Sequence, residues 1–287
     1  MRYRVSHRTV YSYDEPVTDS FGLAYLTPRS LPWQEVADHT VTIAPDASDV
    51  AQEVDYHGNL ATYFQVTERH TTLEVDALSE VTVTTPLHTD GALGGAWERA
   101  RPLLEPTLPG AWQATDFALA SASAEQTAEA REYAAESLTP GRPIGEAATD
   151  LMTRIHRDFA YDKTATTVTS TIDDIFEKRA GVCQDFAHLT LACLRGHGLA
   201  ARYVSGYLMM NDRIEQEAGH AWAEAYVDEL GWVGFDISNG ISPDERYVRV
   251  ATGRDYRDAA PVTGISFGNT STVLEVDVAV EQQQVQQ

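Results

Sequence analysis

The chain of 287 residues contains only two cysteines, Cys183 and Cys193. Both fall in a segment with the pattern of one helix, and the rise of an α-helix would hold them about 15 Å apart, too far for a disulfide. Two cysteines cannot form a cysteine-rich zinc site, and no histidine pair has the spacing of an HExxH motif. We therefore expect no disulfide between them, no metal and no cofactor.

Positive charge is also scarce. The chain has 21 Lys plus Arg against 43 Asp plus Glu, a net charge of -22, and Lys163 and Lys178 are its only lysines. No basic patch that could neutralise phosphates is apparent, so neither nucleic acid nor an anionic membrane is an expected partner. The acidic surface either keeps the protein solvated or attracts cationic substrates, and the sequence leaves both readings open.

Long hydrophobic runs are absent. No stretch approaches the roughly 18 apolar residues of a membrane-spanning helix. The first seven residues, MRYRVSH, carry charged and polar groups where a secretory signal requires an apolar run. The sequence predicts a soluble, cytoplasmic protein whose oligomeric state is unknown.

Residues 1 to about 87 alternate between apolar and polar side chains, as half-buried strands do. The strand-like runs are 3–6, 40–43, 60–66 and 73–83, with turn signals at 14–16, 45–46 and 57–59. From about residue 91 the apolar spacing becomes helical, most clearly over 124–138 and 146–159, and the proline-rich stretch 102–114 reads as an irregular connector. We predict an all-β, sandwich-like domain over residues 1–90 and a second domain over residues 91–287.

The second domain has helices followed by strands. A short helix over 171–180 is capped by Ser170 or Thr171 and stopped by Gly181, and a buried helix follows over 183–196. Strand-like runs then cover 201–209, 220–227, 232–237, 247–252 and 272–280. The predicted fold class is α+β.

Cys183 is predicted at the start of its helix. A helix N-terminus favours the thiolate because partial positive charge and free N–H groups lie beside the sulfur. Cys193 lies in the interior of the same helix, where a thiol is usually an inert apolar group. Cys183 is therefore either a nucleophile or a buried structural thiol, and its partners decide between the two.

His220 and Asp236 are the candidate partners, since a cysteine nucleophile needs a base and a group that orients the base. His220 begins one strand and Asp236 ends its hairpin neighbour, so the two lie at the same end of adjacent strands. They share a face only if the loop length is odd or a bulge intervenes, and Gly231 suits a bulge. His188 follows Cys183 by five helical residues, about 140° round the helix, and so cannot easily face the thiol.

These segments together resemble the bacterial transglutaminase-like family, whose members are often described as proposed cysteine proteases and carry a β-rich N-terminal region. The resemblance rests on residues 179–189 (RAGVCQDFAHL), 201–208 (ARYVSGYL), 219–222 (GHAW), 231–236 (GWVGFD), 253–256 (GRDY) and 260–262 (APV). In the N-terminal part it rests on the alternation of Tyr3, Val5, His7, Thr9, Tyr11 and Tyr13, and on Pro28, Arg29, Gly58, Asn59 and His70.

The resemblance implies a papain-like core in which the nucleophile helix packs on an antiparallel sheet. It also implies acyl transfer through a thioester on a protein or peptide substrate, with Cys183, His220 and Asp236 as the catalytic triad. The candidates for oxyanion or substrate contact are Gln184, Tyr161 and Trp222.

A peptidase or amidase is the leading expectation for the activity. The alternatives are a protein-glutamine transglutaminase, which passes the acyl group to an amine, and a non-catalytic protein-binding module of the same fold. The chain departs from the family where Asp-Pro-Thr-Asn-Gly is usual, since residues 236–240 read DISNG. That change puts the geometry at the edge of the active site in question, but the Asp236 carboxylate is kept.

Overall fold

The computed structural model describes residues 1–85, 92–102, 111–209, 214–216, 219–227, 230–268 and 271–283. The strands are β1 (Arg2–Val17), β2 (Asp19–Ala24), β3 (Gln34–Ala44), β4 (Asp49–Val54), β5 (Leu60–Val66), β6 (His70–Val83), β7 (Ala160–Tyr161), β8 (Ala180–Gly181), β9 (Ala201–Leu208), β10 (Ile214–Gln216), β11 (His220–Val227), β12 (Gly231–Phe235), β13 (Tyr247–Gly253), β14 (Val262–Phe267) and β15 (Thr272–Gln282). The α-helices are α1 (Ala111–Asp116), α2 (Ala128–Ala135), α3 (Ile144–Asp158), α4 (Ile172–Lys178) and α5 (Cys183–Gly196). Single 3₁₀ turns lie at Ala92–Gly94, Trp97–Ala100 and Tyr256–Asp258.

The N-terminal residues form most of two antiparallel sheets. Their strand orders are β10-β15-β1-β6-β3 and β14-β2-β5-β4. Alternate residues of β6 are buried, and Leu73, Val75 and Ala77 among them share one apolar cluster with residues of β1, β2 and β5. This is the sandwich-like arrangement that the alternation predicted.

The last strands of the chain join these same sheets. In β15 Gln282 pairs with Tyr3, and in β14 Val262 pairs with Ala24. Each sheet therefore combines strands from both ends of the sequence. The boundary predicted near residue 90 falls outside the described residues, and the division into residues 1–90 and 91–287 stays a prediction.

Some local predictions were wrong. The turn expected over residues 14–16 is part of β1, whose pairing with β6 shifts register between Ser12 and Val17 instead of ending. The helix expected over 124–138 is shorter, because the Oγ1 of Thr127 accepts a hydrogen bond of 3.2 Å from the Ala130 N–H and so caps α2 at its start. Within the stretch expected to be an irregular connector, residues 103–110 lie outside the described residues and Ala111–Asp116 form α1.

Another antiparallel sheet, separate from the two above, carries His220. Its strand order is β12-β11-β9-β13, and α5 packs against β11 and β9. The small side chains of Ala221, Ala223 and Ala225, at alternate positions of β11, lie in the same core as α5. The fold class is α+β as predicted, with antiparallel sheets followed by helices packed on an antiparallel sheet. Within the described part of the chain, every helix is too short or too polar to cross a membrane.

Candidate active site

Cys183 is the first residue of α5 and is half-buried. Val182 precedes it in an extended conformation, and the Val182 N–H donates a hydrogen bond of 2.8 Å to the carboxylate of Asp185. The same carboxylate oxygen accepts a hydrogen bond of 2.5 Å from the Thr166 hydroxyl. Asp185 therefore fixes the position at which the chain enters the helix, and with it the position of the Cys183 sulfur. The sequence did not single out Asp185, although an acidic residue at the third helical position is a known capping signal.

The turn before Cys183 differs from the one expected. Arg179, in the left-handed region at φ 50°, ends α4, and Gly181 does not have a positive φ. Thr171 caps the start of α4, as one of the two predicted alternatives. Gly181 is needed for space instead, because a Cβ atom there would lie 2.8 Å from the Cβ of Asp185. Gly181 also pairs with Tyr161 in the short parallel ladder of β7 and β8, which brings Tyr161 next to Cys183.

The β11–β12 hairpin places His220 and Asp236 on one face. Val227 pairs with Gly231, so three residues separate the strands, and Gly231 adopts a φ of 76°. Because the loop has an odd number of residues, odd-numbered residues of β11 pair with odd-numbered residues of β12, and even-numbered residues of both strands point to the same face. His220 and Asp236 therefore share a face, which is the condition that the sequence left open. The two side chains meet with 2.7 Å between Nε2 of His220 and Oδ2 of Asp236.

Asp236 is fully buried and is held by several donors. Besides His220, the Tyr247 hydroxyl donates a hydrogen bond of 2.6 Å and the Asn239 side-chain amide one of 2.8 Å, both to Oδ2. Burial alone would raise the pKa of this carboxyl, but the hydrogen bonds and the charge of His220 outweigh it, so the pKa lies below its ordinary value. Asp236 therefore carries a negative charge. Tyr247 was not predicted as a site residue, since it lies on another strand and no local pattern links it to Asp236.

His220 is held in its protonated form. Burial lowers its pKa, but hydrogen bonds to Asp236 and to the Cys183 thiol, with the charges of both groups, raise the pKa to about 10. Because Nε2 faces Asp236, Nδ1 is the ring atom left for Cys183. The three residues predicted as a constellation are thus linked in the order Cys183, His220 and Asp236.

The three residues predicted to contact the oxyanion or substrate differ in how deeply they are buried. Tyr161 has 54% of its surface exposed, and its hydroxyl hydrogen-bonds to Cys183. Burial of part of the ring and the negative groups nearby raise the pKa of Tyr161 to about 12, so it stays a hydrogen-bond donor. Gln184 is half-buried at the second position of α5. Trp222 is 2% exposed and stacks on the His220 ring, with 6.2 Å between ring centroids and 29° between planes. Its observed contact is therefore with His220 and not with the open side of the site.

The remaining cysteine and the nearby histidine are placed elsewhere. Cys193 is fully buried in α5, and burial raises the pKa of its thiol well above the ordinary value. The Nε2 of His188 accepts a hydrogen bond of 3.1 Å from the backbone N–H of Tyr256, and burial lowers the pKa of His188 to about 4. Among the described residues, no group of three or more His, Cys, Asp or Glu side chains is arranged to hold a metal ion.

Two family models match the chain. Residues 3–82 match the bacterial transglutaminase-like N-terminal region, and residues 131–237 match the transglutaminase-like superfamily. The second match contains Cys183, His220 and Asp236.

Individual relatives extend the match over the whole chain. An uncharacterised protein of Mycobacterium tuberculosis strain H37Rv is 43% identical over 293 residues, which cover 97% of this chain and 92% of that protein. A protein-glutamine gamma-glutamyltransferase of Pseudomonas aeruginosa is 33% identical over 98 residues, 31% of this chain and 15% of that protein. The crystal structure of a protein from Cytophaga hutchinsonii, described as a proposed cysteine protease, has a TM-score of 0.75 at 22% identity and covers 100% of this chain and 92% of that one. At that level of identity the structural likeness establishes the fold.

Proposed function

Because this chain belongs to the transglutaminase-like superfamily and joins its core to the bacterial transglutaminase-like N-terminal region, we propose that it is a cysteine-dependent acyl-transfer enzyme acting on amide bonds. The observation that carries the proposal is the connected set of Cys183, His220 and Asp236, with 2.7 Å between the ring and the carboxylate. The first residue of a helix, beside an imidazolium, is a position that stabilises a thiolate.

In the first half of the proposed reaction, the Cys183 thiolate attacks the carbonyl carbon of an amide. The carbonyl oxygen becomes an oxyanion, and the intermediate collapses when His220 donates its proton to the leaving nitrogen. The C–N bond breaks, an amine departs, and the acyl group remains on sulfur as a thioester. Asp236 keeps the imidazole oriented and stabilises its positive charge throughout.

In the second half, a water molecule attacks the thioester while His220, now neutral, accepts the water's proton. The C–S bond breaks, a carboxylic acid is released, and the proton returns the base to its resting form. This sequence makes the protein a peptidase or amidase, with a protein or peptide as substrate.

The oxyanion needs hydrogen-bond donors aimed at the position where charge develops. Backbone N–H groups in the first turn of α5 are available because the first N–H groups of a helix have no acceptor within it. The Tyr161 hydroxyl is the side-chain donor that we propose, since it already hydrogen-bonds to Cys183 and faces the open side of the site. Gln184, the next residue along the helix, is the second candidate.

Amine transfer is the alternative outcome of the same thioester. It is favoured by the 33% identity to the P. aeruginosa protein-glutamine gamma-glutamyltransferase over 98 residues, since that protein's name specifies transfer of a γ-glutamyl group. In that case a primary amine replaces water in the second half, and the substrate is a glutamine side chain. The third alternative, a non-catalytic binding module, would have no need of the complete triad.

The expected cytoplasmic location stays a prediction.

One experiment separates these functions. The protein is incubated with a peptide library, with and without a primary amine such as monodansylcadaverine, and the products are identified by mass spectrometry. Free carboxylic acids at cleaved backbone amides support the peptidase, whereas amine adducts on intact glutamine peptides support the transferase. If neither product forms, and the Cys183→Ala protein gives the same spectra, the catalytic proposal is wrong.

A further inference from the structure

A small cavity lies on the face of the β12-β11-β9-β13 sheet that points away from α5. Trp222 and Glu224 alternate with the alanines of β11 that face the helix, so both point to this opposite side. The cavity is lined by Trp33, Trp222, Glu224, Trp232, Gly234, Pro243, Asp244, Tyr247 and Arg249. Its volume is about 30 Å³, which is enough for one water molecule or one monatomic ion.

Two of the residues that line the cavity carry buried N–H groups without acceptors. The Nε1 of Trp222 and the Nε of Arg249 have no hydrogen-bond partner among the described residues. Trp222 is 2% exposed and Arg249 is 7% exposed, so bulk water does not replace the missing acceptors. Buried donors are nearly always paired, and two unpaired donors at one cavity point to an acceptor that occupies it.

The charges around the cavity do not balance. Glu224 is the shared partner of two guanidinium groups, bonding to Arg202 at 2.7 Å and to Arg249, so this buried cluster has one positive charge in excess. Asp244, the other carboxylate that lines the cavity, forms its ion pair at 2.7 Å with Arg246.

A third guanidinium, that of Arg29, lies close enough to Arg249 to lower the pKa of Arg249. Its own hydrogen bonds go to the neutral side chains of Thr252 and Asn59, and Asp55 is the carboxylate that raises its pKa, so these three guanidinium groups face two carboxylates, Glu224 and Asp55. Burial and the mutual repulsion of these arginines lower the pKa of Arg29 to about 10 and also lower that of Arg249. An acceptor with a negative charge would relieve this repulsion, which a neutral water molecule would not.

We propose that the cavity binds a single small anion, a halide such as chloride, between the Nε1–H of Trp222 and the Nε–H of Arg249. A monatomic anion can accept hydrogen bonds from both N–H donors at once, and the guanidinium groups of Arg249 and Arg202 lie over the Trp33 and Trp232 rings.

The anion site adjoins the proposed catalytic base along the same face of β11. Trp222 stacks on His220, and Tyr247 donates its hydroxyl hydrogen to Asp236. An anion that fixes Trp222 therefore also fixes the ring on which the imidazole packs. This coupling rests on the proposed function, whereas the anion site itself stands on the unpaired donors and the charge imbalance.

Anomalous diffraction from crystals in which bromide replaces chloride tests the site directly. We expect a bromide peak within about 3.5 Å of both nitrogens, slightly beyond the N–H···O range because bromide is larger than oxygen. A cavity that holds only water, or nothing, overturns the proposal, and the result does not depend on whether the protein is an enzyme.

The unfolding temperature provides the matching test in solution. A ligand that binds only the native state raises it, so sodium bromide should stabilise the protein more than sodium gluconate at equal ionic strength, because gluconate cannot enter the cavity. Trp222→Phe keeps an aromatic ring and removes the N–H, and should weaken bromide binding about tenfold. Trp97→Phe removes an indole donor that bonds to Thr139, far from the cavity, and should retain the bromide effect. Equal bromide effects in both variants would overturn the site.

Discussion

The Tyr247 hydroxyl lies 2.6 Å from Oδ2 of Asp236 and donates a hydrogen bond to it. The same oxygen accepts from His220, so Tyr247 acts on the base through the carboxylate. Burial keeps this arrangement dry, and in a dry site a donor to a charged group is worth more than at the surface. Tyr247 is thus a positioning residue of the proposed triad.

Tyr247→Phe should slow acylation by about tenfold, because hydrogen bonds to charged groups contribute about 1.5–3 kcal/mol. The Tyr247 hydrogen bond also lowers the pKa of Asp236, so the acid limb of the pH–rate profile should move to higher pH. Tyr133→Phe is the matched control, since Tyr133 donates a comparable bond of 2.9 Å to Asp158 away from the site. A structural role alone would leave the acid limb in place in both variants.

Gly181→Ala should reduce the reactivity of Cys183. The added Cβ would lie 2.8 Å from the Cβ of Asp185 and would displace the carboxylate that fixes the start of α5. We expect a loss of about 1–2 kcal/mol of stability, as for a lost helix cap, and slower alkylation of Cys183. Gly94→Ala adds the same atom where nothing lies within 4 Å and should change neither quantity. Urea unfolding and timed alkylation measure the two effects.

Because the pKa of His220 is raised in the folded state, the free energy of unfolding should fall as the pH becomes alkaline. The folded-state pKa of about 10 exceeds the ordinary value of 6.5, so the native state binds this proton more tightly. The contribution of this proton to the free energy of unfolding is complete below about pH 6.5 and is lost as the pH rises towards about 10. In urea unfolding, the stability difference between the wild type and His220→Gln should shrink over that window. A difference that stays constant with pH would show that His220 is not held as an imidazolium.

His188 should have the opposite dependence. Burial lowers its pKa to about 4, so the folded state holds it neutral while the unfolded chain is protonated below about pH 6.5. Stability should therefore fall as the pH drops from about 6.5 towards about 4, and the Tyr256 N–H loses its acceptor when Nε2 takes a proton. His188→Gln should flatten this part of the curve. An unchanged slope would assign the acid sensitivity to other groups.

The sequence predicted those features that short-range chemistry determines. The start of α5 at Cys183 followed from its apolar pattern and the Gly-Val turn. Whether His220 and Asp236 share a face depended only on whether the loop between their strands has an odd or an even number of residues. The helix stop at Gly181 was wrong because Arg179 adopts the left-handed conformation that glycine usually takes. That choice depends on packing, since the Arg179 guanidinium lies over the Phe159 ring.

Long-range pairings could not be predicted. The pairing of β15 with β1 joins residues at opposite ends of the chain, and no local pattern encodes it. Strands β2, β4 and β14 were missed for a related reason. All six residues of β4 are exposed, so its sequence does not have the alternation that marks a half-buried strand. Tyr247 and Trp222 likewise acquire their roles at the site only through contacts between strands.

Selective alkylation of the two cysteines tests the central claim most directly. Intact protein is treated with limiting iodoacetamide at neutral pH, and the labelled cysteine is identified by peptide mapping at timed intervals. We predict that Cys183 reacts at least about 100-fold faster than the buried Cys193, and that His220→Ala removes most of this advantage. Equal, slow labelling of Cys183 and Cys193 in the wild-type protein would contradict the assignment of Cys183 as a nucleophile.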